Sequence, residues 1–203
     1  MVMMKNLRKS ITKTRRRNNL SCGKNYRSRQ ALYTKGENMI STGTLIFFCG
    51  KMGAGKSTKS KKFTSENNAV LLSEDEWLSI LYPKQISSFD DYIKYSSLLR
   101  PLIKSHVQKI LLTGTNVVLD FPANTIRQRS WFKSIVTEID TKHQLIYLDV
   151  SDEQCIKQIS KRRLEQPERS AFDTEEMFHH VTKYFEPPTE NEQLQITLVS
   201  EDV

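Results

Sequence analysis

Gly50-Lys51-Met52-Gly53-Ala54-Gly55-Lys56-Ser57 is the stretch on which the reading of this chain turns. It fits the spacing G-x-x-x-x-G-K-[ST] of a phosphate-binding loop. The apolar run Thr44-Leu45-Ile46-Phe47-Phe48-Cys49 before it has the length of a strand, and Thr58 to Phe63 after it suits a helix. Strand, glycine loop and helix are the context that gives the motif its meaning. Glycines let the backbone curl until successive N–H groups converge on phosphate oxygens. The start of the following helix adds donors and the positive end of a dipole. Gly50, Lys51, Met52, Gly53, Ala54, Gly55, Lys56, Ser57 and Thr58 are therefore the nucleotide-binding candidates. Lys56 is expected to reach the β- and γ-phosphates, and Ser57 to ligate Mg²⁺.

Outward from this loop the chain alternates strand and helix. Further strands are expected at Ala69–Ser73, Asn116–Asp120, Gln144–Val150 and Leu194–Val199. Helical spacing of apolar residues runs from Tyr92 to Leu112 and from Ile126 to Ile139. Ser151 and the segment Asp173-Thr174-Glu175-Glu176 carry helix-start signals. Apolar strands separated by amphipathic helices predict an α/β fold with three layers. Its mostly parallel sheet of about five strands carries helices on both faces and a short lid. In such sheets ligands sit beyond the C-terminal strand ends. Two acids are expected there. Asp75 follows the second strand, and Asp120 closes the third, where it would reach a magnesium ion through water. A helix-cap role competes for Asp75.

Composition bounds the remainder. The chain of 203 residues has a formal net charge of +8. Residues 1–38 hold eleven basic side chains against the single acid Glu37, so residues 39–203 carry −2. A nucleic-acid surface is therefore not favoured by the charge of the domain itself. The basic segment 1–38 reads as a disordered extension. A transit peptide, a nucleic-acid-binding arm and a start of the mature protein at Met39 all compete for it, the last preferred. Residues 39–203 form the expected nucleotide-binding domain. No apolar run approaches membrane-spanning length. Cys22, Cys49 and Cys155 lack metal-site spacing, which points to a reducing, cytoplasmic setting with Cys49 and Cys155 as packing residues. No Asn/Thr-Lys-x-Asp guanine-reading segment is present, which favours ATP.

A resemblance narrows the class. It is carried by the Gly50–Ser57 loop, by Leu72-Ser73-Glu74-Asp75-Glu76-Trp77, by Val117-Val118-Leu119-Asp120-Phe121 and by Arg127-Gln128-Arg129-Ser130-Trp131-Phe132. Leu148-Asp149-Val150 and Tyr184-Phe185-Glu186-Pro187-Pro188 extend it. The pattern resembles the P-loop kinase group of polynucleotide 5′-hydroxyl kinases, zeta-toxin-like kinases and antibiotic phosphotransferases. Within that group it is closest to the bacterial AAA-type ATP-binding proteins. The resemblance implies ATP and Mg²⁺ as cofactors and a hydroxyl as phosphoryl acceptor. The charge of −2 on residues 39–203 favours a small molecule over a polynucleotide end as that acceptor, and a non-catalytic ATP-gated role is the further alternative. It implies Asp75 as general base, Lys56 as the phosphate-gripping amine and Arg162 as a transition-state contact from a lid spanning Lys161-Arg162-Arg163 to Ala171. Arg163 and Arg169 are weaker candidates there. Arg127 and Arg129 are candidate acceptor or phosphate contacts, against a plain solvated helix face. Gln158 and Arg163 stand where the group would carry arginine and asparagine, and the lid lacks the group's glycine-histidine character. Trp77, Tyr82 and the histidines His106, His143, His179 and His180 read as packing or surface residues.

Overall fold

Every residue of the first strand, β1 (Leu45–Cys49), is buried, because helices cover the sheet on both sides. Alternate side chains of a strand point to opposite faces. Leu45, Phe47 and Cys49 enter one apolar cluster, while Ile46 and Phe48 enter another. A continuous apolar run, rather than an alternating one, is the signature of such a doubly covered parallel strand. The computed structural model describes residues 41–167, 170 and 172–200. The expected tail, its boundary at residue 39, and Arg169 and Ala171 of the lid lie outside the described residues.

Five strands, β1, β2 (Val70–Ser73), β3 (Val117–Asp120), β4 (His143–Asp149) and β5 (Ile196–Ser200), form one sheet in the order β2-β3-β1-β4-β5. All four pairings are parallel. Six helices connect them: α1 (Lys56–Asn67), α2 (Glu74–Leu81), α3 (Phe89–Leu111), α4 (Ile126–Thr137), α5 (Asp152–Glu165) and α6 (Glu175–Thr182). The first core holds Leu78 of α2, Leu99, Ile103 and Val107 of α3 and Phe132 and Ile135 of α4, with Phe132 stacked 4.3 Å from Phe47. The second holds Cys155 and Ile159 of α5 and Phe178 of α6, with Phe63 of α1 against it. The expected α/β sandwich is thus present. Among the described residues no helix is long and apolar enough to cross a membrane.

The expected elements differ from the observed ones mainly at their ends. β5 begins at Ile196, two residues after the expected Leu194. A 3₁₀ turn at Glu190–Glu192 ends on Gln193 with φ of 53°, a left-handed conformation that no strand can include. α1 starts at Lys56, inside the loop motif, because Gly55 is its left-handed N-terminal cap. Ser151 and Thr174 cap α5 and α6 as expected, accepting hydrogen bonds from the N–H groups of Gln154 and Met177.

One buried cation ties the sheet's C-terminal side together. Arg129 of α4 has no exposed surface. Its Nε and Nη2 donate to the two carboxylate oxygens of Glu192 at 2.6 and 2.9 Å. Nη1 donates to the carbonyls of Glu186 at 2.7 Å and Ala123 at 3.1 Å and lies 3.8 Å from Cys49 Sγ. The strap Glu186–Glu192 is thereby fixed to the end of β1 and to the loop after β3. The expectation that Arg129 faces an acceptor is corrected: its guanidinium is enclosed and its donors are engaged. Removing one partner of a buried pair leaves the other charge uncompensated, at a cost of about 3–5 kcal/mol. Arg129→Met should therefore lower the thermal midpoint by about 10 °C in a circular-dichroism melt. A shift of no more than about 2 °C would show that the pair does not hold the strap.

Candidate functional site

The phosphate loop begins where β1 emerges from the sheet. Its curl depends on residues without a side chain at two places. At Gly53, φ is 81° and an added Cβ would lie 2.5 Å from the carbonyl oxygen of Cys155 and 2.8 Å from Ile159 Cγ1. The loop is pressed against α5 too closely for any side chain. At Gly55, φ is 85°, yet a Cβ would meet only Gln158 Oε1 at 3.7 Å. Conformation rather than crowding selects glycine there. No side chain caps α1 and no acid stands in its first turn. By contrast α3, α4, α5 and α6 are each capped by a hydroxyl, and α2 carries Glu74, Asp75 and Glu76 in its first turn. The N-terminal dipole end of α1 is thus left for an external anion.

The Lys56 ammonium folds back over the loop and donates to the carbonyls of Gly50 at 2.6 Å and Lys51 at 2.8 Å. Burial lowers its pKa to about 8, with the nearby charge of Arg162 acting in the same direction and Cys49 and Asp120 opposing it. Lys51 is paired with Asp152 in the first turn of α5. The Gly50 N–H donates to Asn124 Oδ1 at 3.2 Å.

The strand ends bring the two expected acids together. β2 and β3 are in register with Ser73 opposite Asp120, and Asp75 is the second residue of the helix that follows Ser73. Asp75 is therefore not the cap of α2; Ser73 occupies that position. The Ser57 hydroxyl donates to the Asp120 carboxylate. Burial raises the Asp120 pKa, the hydrogen bond from Ser57 lowers it, and the charge of Asp75 raises it again. A half-buried carboxylate whose burial outweighs its neutralisation is stabilised further by an added cation. Among the described residues no three His, Cys, Asp or Glu side chains cluster as a metal cage. One hydroxyl and one carboxylate fit magnesium, which retains waters and phosphate oxygens in its shell. Ser57 would hold it directly, and Asp120 through water.

Arg162 lies in the last turn of α5, with its Nε and Nη2 on the two carboxylate oxygens of Asp173 at 2.6 and 2.5 Å. Asp173 is buried, so the guanidinium is held from behind while its charge is felt at Lys56. Arg163 and Arg127 are exposed, on α5 and in the first turn of α4. Trp77 and Tyr82 pack against the first core, as expected. Cys49 is likewise a packing residue, its thiol pushed up to about 11 by burial against the partial opposition of Arg129 and Lys56.

Two contributors were not singled out from sequence. Asn124 positions the first amide of the loop, and its own N–H is fixed by Gln128 Oε1 at 2.8 Å. Glu74 is buried and accepts hydrogen bonds from Tyr92 and from Ser96, the latter at 2.5 Å. That anchor fixes the start of α2, and with it Asp75, to α3. An Asn-Thr pair before a helix and a Ser-Glu-Asp-Glu run were visible signals, but neither identifies which member turns inward.

Comparison with known proteins agrees with this fold. An adenylate kinase of Rickettsia bellii is 31% identical over 125 residues, and the match covers 58% of this chain and 58% of that protein. The chain thus spans just over half the length of the curated relatives that it matches. A putative kinase from Chloroflexus aurantiacus superposes with a TM-score of 0.62 at 17% identity, covering 79% of this chain and 86% of the other. The Mycobacterium tuberculosis APS kinase CysC, solved with AMPPNP and APS, superposes with a TM-score of 0.53 at 19% identity, covering 80% and 91%. Residues 45–188, from the first strand through the Phe-Glu-Pro-Pro segment, match the AAA domain family AAA_33, and the chain belongs to that family with a P-loop kinase-like fold.

Proposed function

We propose that the protein is an ATP-dependent phosphotransferase that moves the γ-phosphoryl group to a hydroxyl of a small molecule. The observation that carries this reading is the meeting of two kinds of group at one end of the sheet. The anion-binding loop with Lys56 and Ser57 faces the carboxylates of Asp75 and Asp120. Phosphoryl transfer depends on alignment and charge neutralisation more than on covalent chemistry. The loop amides and Lys56 grip the β- and γ-phosphates, and Arg162, backed by Asp173, meets the charge that develops on the transferred group. Magnesium, when bound, neutralises the phosphate oxygens from the Ser57 side. The acceptor oxygen forms a bond to the γ-phosphorus as the bond from that phosphorus to the β–γ bridging oxygen breaks, and ADP leaves with the electron pair. The acceptor's proton passes to Asp75. Arg127 and Arg163, both exposed, are the remaining candidates for acceptor or phosphate contact.

The similarity to an adenylate kinase makes a phosphate acceptor the natural rival. Electrostatics favours the hydroxyl. Asp75 and Asp120 lie near enough that one raises the other's pKa, and a phosphate dianion beside them would be repelled. A phosphate oxygen also needs no base, whereas an alcohol does. A polynucleotide 5′-hydroxyl is disfavoured by the charge of −2 on residues 39–203. A non-catalytic ATP-gated module is separated by assay.

Two outcomes are expected. In single-turnover reactions with labelled ATP and extracted metabolites, Asp75→Asn should slow transfer by about 10²- to 10⁴-fold while leaving the Kd for ATP unchanged. Unchanged transfer removes Asp75 from the base role, and tight ATP binding without transfer by the unaltered protein indicates a switch.

Lys56 supplies the second. Its folded pKa of about 8 lies below the ordinary lysine value of 10.5, so the folded protein binds fewer protons than the unfolded chain between those limits. Its contribution to stability therefore improves as pH rises through that window. A triphosphate restores the charged form, so binding at pH 8 should take up about half a proton per site at Lys56. Calorimetry in buffers of different ionisation enthalpy should show this at pH 8, and Lys56→Met should abolish it. Buffer-independent heats at pH 8 contradict the assignment.

A further inference from the structure

Of the phenylalanine, tyrosine and tryptophan side chains in the described residues, only Phe89 and Tyr184 are exposed, at 38% and 62%. A lone exposed ring needs no explanation. These two, however, come together from distant parts of the chain. Phe89 opens α3, and Tyr184 lies in the turn after α6. The His180 ring joins them, edge-on to Phe89 at 6.1 Å and to Tyr184 at 6.0 Å between ring centres.

The cluster lies at the end of the sheet that carries the loop. Two residues after Tyr184, the Glu186 N–H donates to the carbonyl of Asn124 at 2.9 Å, and Asn124 receives the Gly50 N–H. On the other side Phe89 stacks on Tyr92 at 6.4 Å. Tyr92 donates to Glu74, the residue before Asp75, and Asp75 is near enough to bear on the Tyr92 hydroxyl. One ring therefore stands between the candidate base and the exposed aromatic surface.

Resting on the phosphotransferase reading of this same site, we propose that Phe89, His180 and Tyr184 form the ring-binding part of the acceptor site. The acceptor is then a nucleoside-type alcohol, in which a planar ring is separated from its reacting hydroxyl by a sugar-sized spacer. The Tyr92 ring, in contact with Phe89 on one side and bonded beside Asp75 on the other, holds the acceptor's ring apart from its reacting hydroxyl. The acids beside Tyr92 suit an uncharged nucleoside and oppose a nucleotide carrying its own phosphate. Aromatic faces supply stacking area without a sequence or base code. The same chemistry is presented by a free nucleoside and by the 5′ end of a strand.

The test titrates the full chain, with Mg²⁺ and a non-hydrolysable ATP analogue present, using adenosine, ribose, or a short single strand bearing a 5′-hydroxyl. Adenosine or the strand should bind and ribose should not. The arm that binds identifies the source of the nucleoside. Phe89→Ala and Tyr184→Leu, both exposed positions, should each weaken that binding about tenfold with the ATP-analogue Kd unchanged. Circular dichroism confirms that the variants fold. Binding of neither ring compound, or equal affinity in both variants, overturns the inference. Labelled phosphate appearing on a ring-less alcohol equally in the unaltered protein and in Phe89→Ala also overturns it, while the phosphotransferase reading stands. Ring-dependent adenosine binding without phosphate transfer supports the ring site and defeats the phosphotransferase reading instead.

Discussion

The contact between the phosphate loop and α5 is the constraint on which the site depends. Gly53 approaches the Cys155 carbonyl so closely that a single added carbon would sit 2.5 Å from it. Cys155 and Ile159, the α5 residues at this contact, belong to the second core, so the curl of the loop is set by the packing of that layer. Lys51, paired with Asp152 at the start of the same helix, holds the loop from a second point. Lys56 then bonds to the loop's own carbonyls, which leaves a preformed cradle facing the end of β3. Donors fixed in advance need no reorganisation when a charged group arrives.

The opposite layer positions the acids. Glu74, buried and bonded by Tyr92 and Ser96, anchors the first turn of α2 to α3, and Asp75 is carried by that turn. Arg129 and Glu192 bind the C-terminal strap to the loop after β3, where Asn124 meets Gly50. Each layer thus contributes one side of the site, and the sheet between them sets the spacing. The segment Glu186-Pro187-Pro188 has a structural part here: the Glu186 carboxylate accepts from the Ile126 N–H at 2.7 Å, at the start of α4.

The phosphate loop was legible in the sequence because its chemistry is local: eight consecutive residues, bounded by a strand and a helix, define it. The place of Asp120 at the C-terminal end of β3 was legible because it closes an apolar strand. Arg127 and Arg129 were not separable. Two residues apart on a helix, they differ by about 200° in direction, so one meets solvent and the other the interior. Glu192, 63 residues further along the chain, and the carbonyls of Ala123 and Glu186 hold Arg129 inward. Glu74 and Asp75 posed the same difficulty, as adjacent acids about 100° apart on α2. The meeting of Phe89 with His180 and Tyr184 is a product of topology alone, since it joins the start of α3 to the end of α6.

The claim that this loop is a rigid, preformed grip for a nucleoside triphosphate is tested most directly by calorimetry of Mg-ATP binding to the unaltered protein and to Gly53→Ala. The account predicts a Kd below about 1 mM for the former. For the latter it predicts affinity at least about tenfold weaker with a cooperative melt retained, because the loop must move away from Cys155. No heat with the unaltered protein, or equal affinity in both, would contradict it.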